Sequence, residues 1–205
     1  MFFGRAINHR STVKRYRRWR ATLRIASICL CLVLRSESIA AQETASAEYQ
    51  VKAEFLSQFP NFVEWPDSAF AAAKSPFAIC VFGDFSFGTS LAGATRKETF
   101  HGRKLEVRWV RRTPDLRACQ ILFVSRSEAA RYGQVLAAIA NQQVLTVGET
   151  SDFLRAGGAL CFSFEKDVLQ FEVNLAAASG AGLKMNSRLL ALAKRVVNFP
   201  EASKG

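Results

Sequence analysis

Phe77-Ala78-Ile79-Cys80-Val81-Phe82 is six apolar residues in a row, closed by Gly83. A strand with one wet face alternates polar and apolar side chains, so an unbroken run predicts a strand covered on both faces. Ile121 to Val124 is a second buried strand and Val144 to Val147 another. Helical patterns lie between them. A short helix follows the turn at Gly83 to Gly88 and runs to Arg96. Ser127 is placed to cap a helix reaching Ala140, with Tyr132, Val135, Leu136 and Ile139 as its apolar stripe. Helices interleaved with doubly buried strands require a layered α/β sheet.

Leu105, Val107 and Trp109 alternate with Glu106 and Arg108, which predicts a strand with one polar face. Leu160, Phe162 and Phe164, the turn Glu165-Lys166-Asp167, and Leu169, Phe171 and Val173 form a hairpin that makes the sheet mixed. The expected fold is a single-domain α/β sheet of about six strands flanked by helices. Tyr49 to Trp65 has apolar residues near helical spacing, but Pro60 is expected to kink that helix or end it near Phe59. A closing helix is expected from Ser187 to Asn198.

With 205 residues, 49% hydrophobic and 22% charged, the composition is that of a globular protein. The net charge of +11 is unevenly placed. Residues 1–40 hold nine basic side chains and one acid, leaving the remainder at only +3. A domain so nearly neutral has little electrostatic drive toward a phosphate backbone, so no nucleic-acid partner is expected. The basic start precedes Ile25 to Leu34, ten residues with only Ser27 polar, and then Ser38-Ile39-Ala40-Ala41. That order predicts an export signal over residues 1–40, cut after Ala40, with the domain at 41–205. Ten residues rise only about 15 Å as a helix, too short for a bilayer core of roughly 30 Å, so the chain is not expected to span a membrane.

Beyond the leader the cysteines are Cys80, Cys119 and Cys161. In an oxidising compartment two of three are expected to pair. Cys80 and Cys119 each lie in an apolar strand-like run and are the favoured pair. The alternative is three buried thiols.

Catalytic patterns are sparse. Gly83-Asp84-Phe85-Ser86-Phe87-Gly88 has the outer spacing of a phosphate loop, but Thr89 stands where the lysine belongs. His101 is the one histidine outside the leader, and a Ser–His–Asp hydrolase would need it as general base. It sits in a polar turn, with no G-x-S-x-G elbow in the sequence. The pairs Glu149/Asp152 and Glu165/Asp167 read as a helix start and a turn. No catalytic, cofactor or metal site is expected, and a hydrolase using His101 is the weakest of the functional readings. The polar face Gln170, Glu172 and Asn174 backs a strongly apolar strand and is either a solvated sheet face or a surface that a partner recognises.

These segments resemble the YfiR family, also known as DUF4154, of periplasmic regulators. The resemblance covers residues 48 to 198. It rests on Val51-Lys52-Ala53-Glu54-Phe55-Leu56 followed by Phe62-Val63-Glu64-Trp65-Pro66, on Gly102-Arg103 before a strand, and on Cys119-Gln120-Ile121-Leu122-Phe123. It is strongest across residues 144 to 196. It implies an exported α/β protein without catalysis that forms a homodimer. It also implies binding to the periplasmic sensory domain of an inner-membrane diguanylate cyclase, which lowers cyclic di-GMP output and biofilm formation. The family pattern supports a Cys80–Cys119 bridge. Members with a second bridge carry a cysteine shortly before the position of Cys161. Here that region reads Ser151-Asp152-Phe153-Leu154-Arg155, so Cys161 is expected to be a free thiol. Phe171, Glu172, Val173, Asn174 and Leu175 are the candidate partner-contact residues. A periplasmic small-molecule sensor or carrier is the alternative function.

Overall fold

A computed structural model describes residues 46–199 apart from Asp167. The expected leader and its cleavage site at Ala40 lie outside the described residues. Helix α1 covers residues 46–58 and gives way to a 3-10 turn, Phe59–Phe62. Pro60 falls in the first turn of that 3-10 segment, where its missing N–H costs nothing, so it ends the α-helix rather than bending it.

Eight strands make the main sheet among the described residues. In chain order they are β2 (Phe77–Phe82), β3 (Thr99–Phe100), β4 (Arg103–Val110), β5 (Ile121–Val124), β6 (Leu145–Gly148), β7 (Leu160–Glu165), β8 (Val168–Asn174) and β10 (Arg195–Val197). Their spatial order is β10-β8-β7-β6-β5-β2-β4-β3. Pairing is parallel except at β3/β4 and β7/β8. A separate ribbon joins β1 (Val63–Glu64) to β9 (Lys184–Met185). The sheet is mixed and flanked by helices as expected, with eight strands rather than six. The additional strands, β3 and β10, are two and three residues long and too short to show a period. The closing helix is likewise shorter than its pattern: α6 is Ser187–Leu192, and Arg195–Val197 then pairs with β8. The other helices are α2 (Phe85–Thr95), α3 (Tyr132–Ala138), α4 (Ser151–Arg155) and α5 (Leu175–Gly180). A 3-10 turn at Arg126–Arg131, with Ser125 at its N-cap, precedes α3 where one longer helix was expected.

Strand β2 shows why its sequence has no polar residue. Phe77, Ile79 and Val81 face one layer, with Ala53, Leu56 and Phe59 of the α1 segment and Phe87 and Leu91 of α2. Cys80 and Phe82 face the other, with Leu116, Tyr132, Val135 and Ile139. None of the six is more than 1% exposed. Full burial of such a side chain contributes about 1.5–3 kcal/mol. The first layer is heavily aromatic: the Phe87 and Phe123 rings stack with centroids 3.7 Å apart, and Phe55, Phe59, Phe162 and Phe171 form a second group. In the second layer Phe153 of α4 lies in a mould made by two glycines. A Cβ at Gly148 would stand 2.3 Å from its ring, and one at Gly158 would stand 2.2 Å from it.

Two devices tie β2 to β5. Cys80 and Cys119 form a disulfide across 39 residues, with Cα atoms 5.8 Å apart. The adjacent Gln120 accepts from the Ala78 N–H at 2.7 Å through its side chain and donates to the Ala69 carbonyl at 2.6 Å. Its own carbonyl accepts from the Trp65 indole N–H at 3.2 Å.

Cutting the bridge is expected to lower the unfolding free energy by about 4 kcal/mol, the chain-entropy value for a loop of this size. Urea titrations with and without reductant measure it. A change below about 1 kcal/mol would mean that the reduced unfolded chain stays compact.

Candidate functional site

The chain leaves β2 through α2 toward β4, then crosses back over β2 to reach β5, which continues through α3 to β6. Connections therefore diverge between the carboxyl ends of β2 and β5, the place where open α/β sheets receive ligands. Here the protein's own side chains occupy it. Lys52 of α1 is 1% exposed and puts Nζ 2.6 Å from Oε1 of Glu149, whose side chain is fully buried at the end of β6. Lys52 also pairs with Glu48 one helical turn earlier. The other Glu149 oxygen accepts from the Arg126 backbone N–H at 2.9 Å, and the Arg126 guanidinium reaches Glu48 at 3.0 Å. Tyr49 donates from its hydroxyl to Asp84 at 3.1 Å, and Asp84 takes its backbone N–H to Ser125 Oγ at 2.8 Å. Burial, then the Glu149 and Asp84 carboxylates, push the Tyr49 phenol well above its ordinary range. The Arg126 guanidinium is held charged: burial opposes this, and Glu149 and Glu48 overcome it.

This cluster joins the first helix to the ends of three strands. A buried ion pair is worth little against an apolar isostere, yet removing one partner strands the other charge. Lys52 and Glu149 were visible in the sequence only as a motif residue and as half of an acidic pair. The signal that could have found them is a lysine inside an otherwise apolar helical stripe, since an unpaired lysine is almost never fully buried.

The hairpin β7–β8 carries the candidate contact residues. Phe171 and Val173 point into the first apolar layer. Asn174 is fully buried, and its Oδ1 accepts from Ala177 N–H at 3.4 Å, capping α5, and from Phe199 N–H at 3.1 Å. The capping and core roles leave Glu172 and half-buried Leu175 as the reachable members of the five. Glu172 shares the opposite face with Ser163, Gln170 and Cys161 of the hairpin and pairs with exposed Arg195 of β10, whose Nε lies 3.0 Å away. Ser163 Oγ and Gln170 Oε1, paired across the strands, are enclosed without a hydrogen-bond partner.

Cys161 is a buried free thiol opposite Glu172. Burial first, then the Glu172 and Glu149 carboxylates, push its pKa up to about 12. His101 lies exposed in the turn between β3 and β4 at a positive φ of 48°, against the Phe100 ring. Glu149 is turned to buried Lys52 while Asp152 pairs with Arg155 on the surface, so these two carboxylates do not face each other across a cleft; Glu165 pairs with Lys194, and Asp167 lies outside the described residues. The Gly83–Gly88 segment is a strand–turn–helix joint, with Gly83 at φ 111° and Asp84 capping α2 by accepting from Ser86 N–H at 2.7 Å. No helix among the described residues is long and apolar enough to cross a membrane.

A family model described as DUF4154, YfiR/HmsC-like, matches residues 49–194. No curated protein matches the sequence. Among solved structures the chain is similar to a conserved domain protein from Vibrio cholerae O1 biovar El Tor, with 15% identity, a TM-score of 0.43, and coverage of 58% of this chain and 54% of that one. It is also similar to an ABC domain in complex with L-Trp from Streptococcus pneumoniae, with 10% identity, a TM-score of 0.45, and coverage of 59% and 55%. The chain thus spans about half the length of each.

Lys52→Met is expected to destabilise the protein by about 3 kcal/mol, because it takes the close buried partner from the Glu149 carboxylate and leaves it only the more exposed Arg126 guanidinium at 3.7 Å. Lys52→Met combined with Glu149→Gln should regain most of that loss in a urea titration. Equal losses in the single and double variants would refute the pairing. Cys161 is expected to resist a thiol reagent at pH 8 until the protein is unfolded. Because its folded pKa is the higher one, the stabilisation it gives is complete below the ordinary value of 9.0 and is lost as pH rises toward about 12. Unfolding titrations at pH 8 and pH 10 check the sign.

Proposed function

The chain belongs to the YfiR/HmsC-like family, and from that premise we propose that it holds the periplasmic sensory domain of an inner-membrane diguanylate cyclase inactive. The family is one of periplasmic regulators of cyclic di-GMP signalling. The supporting observation is the extent of the match, which runs from α1 through α6 and takes in every strand of the sheet except β10. On this reading residues 1–40 are an export signal, residues 41–205 act in the periplasm as a homodimer, and cyclic di-GMP output and biofilm formation fall while the partner is bound.

The face of β7, β8 and β10 that carries Ser163, Gln170, Glu172 and Arg195 is the proposed contact. It is polar, half-buried at its centre, and carries the Glu172–Arg195 ion pair at its β10 edge. Charges at the rim of an interface steer and orient a partner more than they add affinity.

Deletion of the chain in its native host is expected to raise cyclic di-GMP and biofilm mass, and the tagged protein should copurify with a membrane cyclase. Glu172→Arg should weaken that association about tenfold, equivalent to ~1.4 kcal/mol. Exchanging the pair, Glu172→Arg with Arg195→Glu, should restore the intramolecular ion pair and the thermal midpoint without restoring binding. Unchanged cyclic di-GMP on deletion would sink the reading. Recovery of binding by the exchanged pair would move the contact elsewhere.

A further inference from the structure

A second concavity opens at the carboxyl ends of β2 and β4, beside the self-occupied crevice and separate from the hairpin face. Its volume is about 220 Å³, and Phe85, Trp109, Arg111, Glu128 and Arg131 surround a floor that includes Val81 and Val110. Two of its walls are large aromatic side chains left in water: Phe85 is 49% exposed and Trp109 is 42% exposed. Neither is loose. Trp109 is pressed onto α2 at Gly88, where a Cβ would stand 2.2 Å from its Nε1, so only a glycine there lets the indole lie against the helix. Phe85 is held by Arg111, another wall of the cleft, whose guanidinium carbon sits 4.8 Å from the ring centroid.

The charges are unequal in availability. Arg131 stacks over Phe82 at 4.8 Å and donates to Glu128 at 3.0 Å, so both are satisfied within the protein. Arg111 has no carboxylate within ion-pair distance among the described residues. A guanidinium that lies over an aromatic ring and has no carboxylate partner can still present paired N–H groups to the oxygens of a carboxylate or sulfonate. Rigid aromatic walls of preset orientation, a small volume and one uncommitted cation make a site for a flat apolar body carrying a single negative charge.

We infer that this cleft binds small aromatic monoanions, with the ring between Phe85 and Trp109 and the acid group on Arg111. The inference goes beyond the regulatory reading and holds whether or not a cyclase is the partner.

The test is calorimetric titration of the purified protein with naphthalene-2-sulfonate, with neutral 2-naphthol and with cationic 2-naphthylmethylamine. The sulfonate is expected to bind saturably at one site, with a Kd below about 1 mM and at least tenfold tighter than the naphthol. Arg111→Gln, a change at an exposed residue, should abolish that preference and leave naphthol binding within about twofold. Gly88→Ala, which lifts the indole, should weaken both ligands; if it fails to fold, quenching of Trp109 fluorescence by the sulfonate in the native protein replaces it. The inference is overturned if the sulfonate does not saturate, if Arg111→Gln keeps the preference, or if the remote exposed Arg117→Gln removes it equally.

Discussion

A lysine that water cannot reach needs an answering charge, and in this chain the answer comes from the carboxyl end of a strand remote in sequence. Lys52 belongs to the first helix and Glu149 to the end of β6, 97 residues later. Their pairing, extended by Arg126 and Glu48, holds α1 against the carboxyl ends of the parallel strands. The aromatic layer depends on that placement, because Phe55 and Phe59 reach Phe162 and Phe171 only while the helix lies where Lys52 pins it. The same arrangement decides which openings the fold keeps. The crevice between β2 and β5 is filled by the pinning charges, so free concave surface shifts one strand over, to the ends of β2 and β4.

Sheet and layers were legible because burial on both faces writes itself as an uninterrupted apolar run, and the β7–β8 hairpin as strict alternation. What the pattern missed is explained by length and by competition. Strands β3 and β10 are too short to hold a period, and Arg195-Val196-Val197 continues the apolar spacing of α6 closely enough to read as helix. Backbone hydrogen bonding to β8, not side-chain preference, sets where that helix stops. The site was less legible than the fold. A strand pattern says which face a side chain takes, but not whether a neighbour has claimed it, and Asn174 has polar character yet serves as an internal helix cap. Lys52 looked like an ordinary charged residue because the carboxylate that makes it special is remote in sequence.

The cysteines divide by the same logic of position. Cys80 and Cys119 end up 5.8 Å apart because β2 and β5 are sheet neighbours, and Gln120 repeats their cross-link in hydrogen bonds one residue further on. Cys161 sits two strands away from β5, enclosed and opposite a carboxylate, surroundings that disfavour its thiolate.

Phe153 and its two glycines carry a consequence for inheritance. Three positions far enough apart in sequence to mutate separately share one volume, and a methyl group at Gly148 or Gly158 would occupy space the ring already fills. Such a trio changes only in concert. A descendant lineage that acquires alanine at either glycine must first shrink the aromatic, passing through an intermediate with a hole beneath α4, so the joint should drift more slowly than the surface around it.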